Sequence, residues 1–96
     1  MLKGLKEMKE LYIQIKPILL NYSGALVDGS DIKELTTIPA QPFALAQFIL
    51  ENNIERVRLC GNTKYTSGIQ KMLDQEFGKI TQYNVPIEIT LEEITG

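Results

Sequence analysis

The chain has 96 residues, 44% of them hydrophobic and 23% charged, and its 10 Lys+Arg against 12 Asp+Glu leave a net charge of −2. This is the composition of one ordinary globular domain, and it excludes general disorder and the collagen-like, coiled-coil and disulfide-rich classes. The lack of a basic excess argues against a grip on nucleic acid phosphates, the absence of histidine removes the commonest general base and metal ligand, and the single cysteine, Cys60, can form neither an internal disulfide nor a thiolate zinc site.

No apolar run approaches the roughly 20 residues that a bilayer-spanning helix needs, so no membrane partner is expected. A lone thiol suits the reducing cytoplasm. Residues 1–9 mix Lys, Glu, Met and Leu and read as an N-terminal extension, followed by a single α/β domain over 10–96.

The first strand is expected over Leu11 to Leu20. Leu11, Ile13 and Ile15 alternate there with Tyr12, Gln14 and Lys16, and Pro17 marks an edge, bulge or break. Asn21-Tyr-Ser-Gly24 reads as a turn. A short second strand, Ala25 to Val27, leads into the hairpin signal Asp28-Gly29, and a third strand covers Asp31 to Ile38.

Pro42 fits the first turn of a helix, where its missing N–H costs nothing. The helix runs to about Asn52, with Phe43, Ala46 and Leu50 along one side and Leu45, Phe48 and Ile49 along the next. One of Asn52 and Asn53 is expected in the left-handed cap conformation. A fourth strand covers Arg56 to Cys60, with Val57 and Leu59 on one face and Arg56 and Arg58 on the other. That pair of arginines could meet a phosphate or a partner's carboxylates, or pair internally with acids such as Glu55 or Glu88.

Gly61-Asn62-Thr63 then turns the chain into a second helix, about Lys64 to Phe77, with Tyr65, Ile69, Met72, Leu73 and Phe77 as its apolar stripe and Gly78 as its C-terminal cap. Val85, Ile87, Ile89 and Leu91 alternate with polar residues in a last strand that should have one wet face. The order β-β-β-α-β-α-β combines early hairpins with late helical crossovers. It therefore predicts an α/β fold with a mixed sheet.

That element order resembles the ribonuclease H-like fold in its minimal, single-lobe form. More locally, Ile54 to Lys79, an apolar strand ending at Gly61 and a helix carrying Ile69, Leu73 and Phe77, is similar to the adenosine motif of the actin-like ATPases of the heat-shock chaperone type. The resemblance implies a nucleotide beside the turn at Gly61. The residues depart from both families. Gly61-Asn62 stands in place of Gly-Gly, and the first strand has Ile13, Gln14 and Ile15 where ribonuclease H-like nucleases carry a metal-binding carboxylate. The fourth strand ends in Leu59, Cys60 and Gly61 where another belongs. Asp28 and Asp31 are explained by turn chemistry.

The best ligand-site candidate is Gly61, Asn62, Thr63, Lys64 and Thr66. These residues lie at the carboxyl end of an expected parallel strand and at a helix N-terminus, where backbone N–H groups and the helix dipole favour an anion. An ordinary capped turn, with Asn62 or Thr63 as N-cap, is the simpler account. Cys60 has no histidine to activate it and reads as a buried structural thiol. No catalytic set is complete, no metal site is formed and no cofactor is called for. The reading is a small non-enzymatic binding or assembly module that forms a homo-oligomer, most simply a dimer, through sheet edges or apolar helix faces. The alternative is a protein that sequesters a nucleotide or other small anionic ligand over Gly61 to Thr66, and a metal-dependent nuclease ranks last.

Overall fold

The computed structural model describes residues 9–16, 21–80 and 87–93. Seven elements follow in chain order: β1 (Lys9–Gln14), β2 (Asn21–Asp28), β3 (Asp31–Pro39), α1 (Pro42–Glu51), β4 (Arg56–Gly61), α2 (Thr63–Ile80) and β5 (Glu88–Glu93). The fold is α/β, as expected, with one five-stranded mixed sheet in the order β3-β2-β1-β4-β5. β2 is antiparallel to both β1 and β3, whereas β4 runs parallel to β1 and β5.

Alternation in β1 decides the layering. Leu11, Ile13 and Ile15 point to one face of the central strand, and they share a single core with Val57 and Leu59 of β4, Leu45, Ala46 and Ile49 of α1 and Leu73 of α2. Both helices therefore cover the same face of the sheet. The opposite face carries Glu10, Tyr12, Gln14, Arg56, Arg58, Glu88, Thr90 and Glu92, which the strand registers bring side by side. Among the described residues that face is largely polar and charged, so it is not an apolar surface awaiting a cover.

Several boundaries differ from expectation. Lys9 opens β1 rather than closing an extension, tied by its N–H to Glu55 Oε1 at 3.1 Å and by its carbonyl to the Glu55 N–H at 2.9 Å. Strand β1 ends at Gln14, and residues 17–20 of the predicted first strand lie outside the described residues. Asn21 to Gly24 is strand, not turn. The glycine serves close strand approach instead: a Cβ built on Gly24 would lie 1.9 Å from the Tyr12 carbonyl oxygen. The β2–β3 register also shifts between Tyr22 and Gly24. At the hairpin only Gly29 takes positive φ, at 69°, so the glycine occupies the first of the two loop positions, the arrangement of a II′ turn.

Helix α1 ends as the asparagines suggest. Asn53 sits at φ 55°, its N–H bonding the Leu50 carbonyl at 3.2 Å, while the Ile54 N–H reaches back to the Ile49 carbonyl at 3.1 Å. Together these two bonds make a Schellman stop, sealed by the burial of Ile54. The buried face of α1 is narrower than the predicted arc, and Phe43 is 54% exposed. In α2 the inward stripe is Thr66, Ile69, Leu73 and Phe77, rotated from the expected one, and Tyr65 and Met72 face outward. Gly78 does not end α2, which continues to Ile80. Its position is open, with nothing within 4 Å of an added Cβ, so the missing side chain forces nothing. Of the predicted last strand, residues 85 and 86 lie outside the described residues.

Candidate functional site

The turn singled out in the sequence joins β4 to α2 beside the carboxyl end of β1. Gly61 stands at φ 151°, and a Cβ there would lie 3.1 Å from the Ile15 carbonyl oxygen, so the close approach of β1 and the backbone angle both favour glycine. The Ile15 N–H donates to the Cys60 carbonyl at 2.9 Å, fixing the two strand ends together.

The first turn of α2 has its donors engaged from within the chain. The Asn62 side-chain oxygen accepts the Lys64 N–H at 2.8 Å, which makes Asn62 the N-cap. Its backbone carbonyl accepts the N–H groups of Tyr65 at 2.8 Å and Thr66 at 3.0 Å. The remaining donor, the Thr63 N–H, goes to Glu93 Oε1 at 2.9 Å, and the Thr63 hydroxyl donates to the same oxygen. A carboxylate of β5 thus occupies the place where an anion would sit. These hydrogen bonds hold the Glu93 carboxyl below the usual carboxylate range.

The five candidate residues separate by exposure. Asn62, Thr63 and Lys64 are exposed and Gly61 is half-buried, whereas Thr66 is fully buried on the core side with no hydrogen-bond partner for its hydroxyl. The helix and the strand end bring all five together, with Glu93 as a sixth member that sequence reasoning missed. The signal for it was weak. A parallel partner for β4 had to be assumed before the register could place Glu93 opposite Gly61.

A second cluster lies on the charged sheet face. Arg58 reaches Glu92 at 3.3 Å and Glu10 at 3.5 Å, and its guanidinium lies 5.1 Å from the centre of the Tyr12 ring. Arg56 pairs with Glu88 at 3.4 Å, one of the internal pairings expected from the sequence. The surroundings of Arg58, Tyr12 first among them, raise its pKa further. Cys60, 4% exposed, donates weakly to Glu92 Oε1 at 4.0 Å. Burial first, and the Glu92 charge second, push its thiol pKa up, which leaves it protonated and a poor nucleophile.

Among the described residues no group of three His, Cys, Asp or Glu side chains is placed to hold a metal ion, and Asp28 and Asp31 face each other as the closing pair of the β2–β3 hairpin. No described helix is long and apolar enough to cross a membrane. Compared with protein-family models, curated proteins and solved structures, the chain matches none of them.

Proposed function

We propose that this protein is a small non-enzymatic assembly module that self-associates through the outer edge of β3, which no described strand covers. The observation that carries this reading is the character of that strand. It is one of the two outer strands and, at nine residues, the longest among the described residues, and it exposes Ile32 to 70%. The closing pair of a two-residue hairpin is hydrogen-bonded. Asp31, Lys33 and Leu35 therefore turn their backbone groups toward β2, and Ile32 and Glu34 turn theirs outward. Unpaired edges of this length invite another strand.

The opposite edge is a poorer partner. β5 presents Glu88, Glu92 and Glu93 within six residues, so two copies meeting there would oppose like charges. A two-fold arrangement of β3 against β3 of a second copy extends the sheet to ten strands and closes the assembly as a dimer. The element order supports reading the chain as a minimal ribonuclease H-like lobe used as a scaffold, and a single buried thiol suits a cytoplasmic setting. The alternative, a nucleotide or other small anion over Gly61 to Thr66, requires Glu93 to leave first.

Light scattering across a concentration series tests the proposal. The expected result is a mass near twice 10.8 kDa that falls toward the single-chain value in Ile32→Lys and in Glu34→Pro. The proline removes an outward N–H and leaves the β2 ladder intact. A single-chain mass at every concentration overturns it.

A further inference from the structure

Strand β5 bonds its neighbour β4 through alternate residues. The Glu88 N–H reaches the Glu55 carbonyl at 3.1 Å, and Glu88, Thr90 and Glu92 stand opposite Arg56, Arg58 and Cys60. In a parallel ladder that spacing repeats every second residue. The backbone groups of Ile89, Leu91 and Glu93 therefore turn to the outer edge, which no described strand covers.

One of those outward groups is already taken. Gln70 of α2, half-buried, donates its side-chain amide to the Ile89 carbonyl at 3.4 Å. A strand added to β5 would lie about 4.8 Å away and would need that carbonyl as an acceptor. It must first displace Gln70.

We propose that Gln70 is an edge guard: its amide, laid across the Ile89 carbonyl, keeps β5 from pairing with a second copy and so leaves β3 as the assembling edge. This rests on the self-association reading only for the role of β3. Charge acts in the same direction as the guard. Two β5 edges meeting antiparallel about a two-fold axis at Thr90 would bond Ile89 of one copy to Leu91 of the other. Glu88 would then oppose Glu92 twice on the charged sheet face. Covering an edge from a helix and lining it with like charges are two known ways of preventing strand addition.

The test separates the two devices. Glu88→Lys turns both glutamate oppositions of that arrangement into ion pairs and leaves the guard in place. Gln70→Ala in the Glu88→Lys background then removes the guard. Light scattering across a concentration series should give Glu88→Lys the wild-type mass and the double variant about twice that mass or more. Adding Glu92→Lys to the double variant restores like-charge opposition and should reverse the gain. Equal masses for Glu88→Lys and the double variant would overturn the guard. So would a gain already present in Glu88→Lys, or one that survives Glu92→Lys. A wild type that is a single chain overturns the β3 reading instead, and the guard is then read from a rise to two chains in the double variant.

Discussion

Glu93 and Thr63 are joined twice through one carboxylate oxygen, which accepts both the backbone N–H and the side-chain hydroxyl of Thr63. The bond ties the end of the edge strand β5 to the start of α2 and sets a negative charge at the positive end of the helix. Strand and helix are therefore coupled to the ionisation of one exposed group.

Glu93→Gln should lower the melting temperature at neutral pH, and the gap between the two proteins should close on acidification. The folded-state pKa of Glu93 is depressed. Its contribution is therefore present above the unfolded-state value, roughly 4.3, and is lost as pH falls through the folded value. Melting curves of both proteins from neutral to acid pH check this. A gap that stays constant down to the lowest pH would mean that the charge contributes nothing.

How much of this was legible in the sequence depends on whether local pattern or partner choice decides the feature. Pro42 and Asn53 mark the ends of α1 because proline φ and the left-handed cap are properties of single residues. The alternation of Leu11, Ile13 and Ile15 names the buried face of β1 for the same reason. The Asn21–Gly24 turn misled because glycine has two uses, bending a chain and admitting a neighbour. Only the packing of Tyr12 against Gly24 says which applies. The charge at the candidate site was hidden because Glu93 stands 30 residues from Thr63 and meets it only through the β4–β5 register.

Truncations should separate the true core face of each helix from the outward one. Leu45→Ala and Leu73→Ala remove fully buried side chains and should each cost about 2–5 kcal/mol. Phe43→Ala and Met72→Ala remove side chains that are about half exposed and should each cost under about 1 kcal/mol. Urea denaturation of the four variants checks the ordering. Equal losses within each helix would place its apolar face where the simple periodicity put it.

Gly24→Ala should be among the most damaging single changes. The added methyl meets a backbone carbonyl of the neighbouring strand at 1.9 Å, and no flexible side chain is there to yield. β1 and β2 must part locally, with a loss of about 3 kcal/mol or more. Gly68→Ala provides the contrast, since nothing lies within 4 Å of its added Cβ inside α2. That change should stabilise by up to about 1 kcal/mol through helix propensity. Chemical denaturation of the pair decides between a steric and a general glycine effect.

Cys60 should react with a disulfide reagent far more slowly in the folded chain than in urea. Two causes act together. The thiol is nearly inaccessible, and its pKa is raised by burial and by the Glu92 and Glu10 charges, against an opposing pull from Arg58. Only the thiolate attacks, so the folded protein presents little nucleophile at neutral pH. The charged neighbours give the effect a direction. Glu92→Gln should move the pH dependence of the reaction to lower pH, and Arg58→Gln should move it to higher pH. Following the rate against pH in the three proteins separates charge from burial, because a purely steric block would slow all three alike and leave their pH midpoints together.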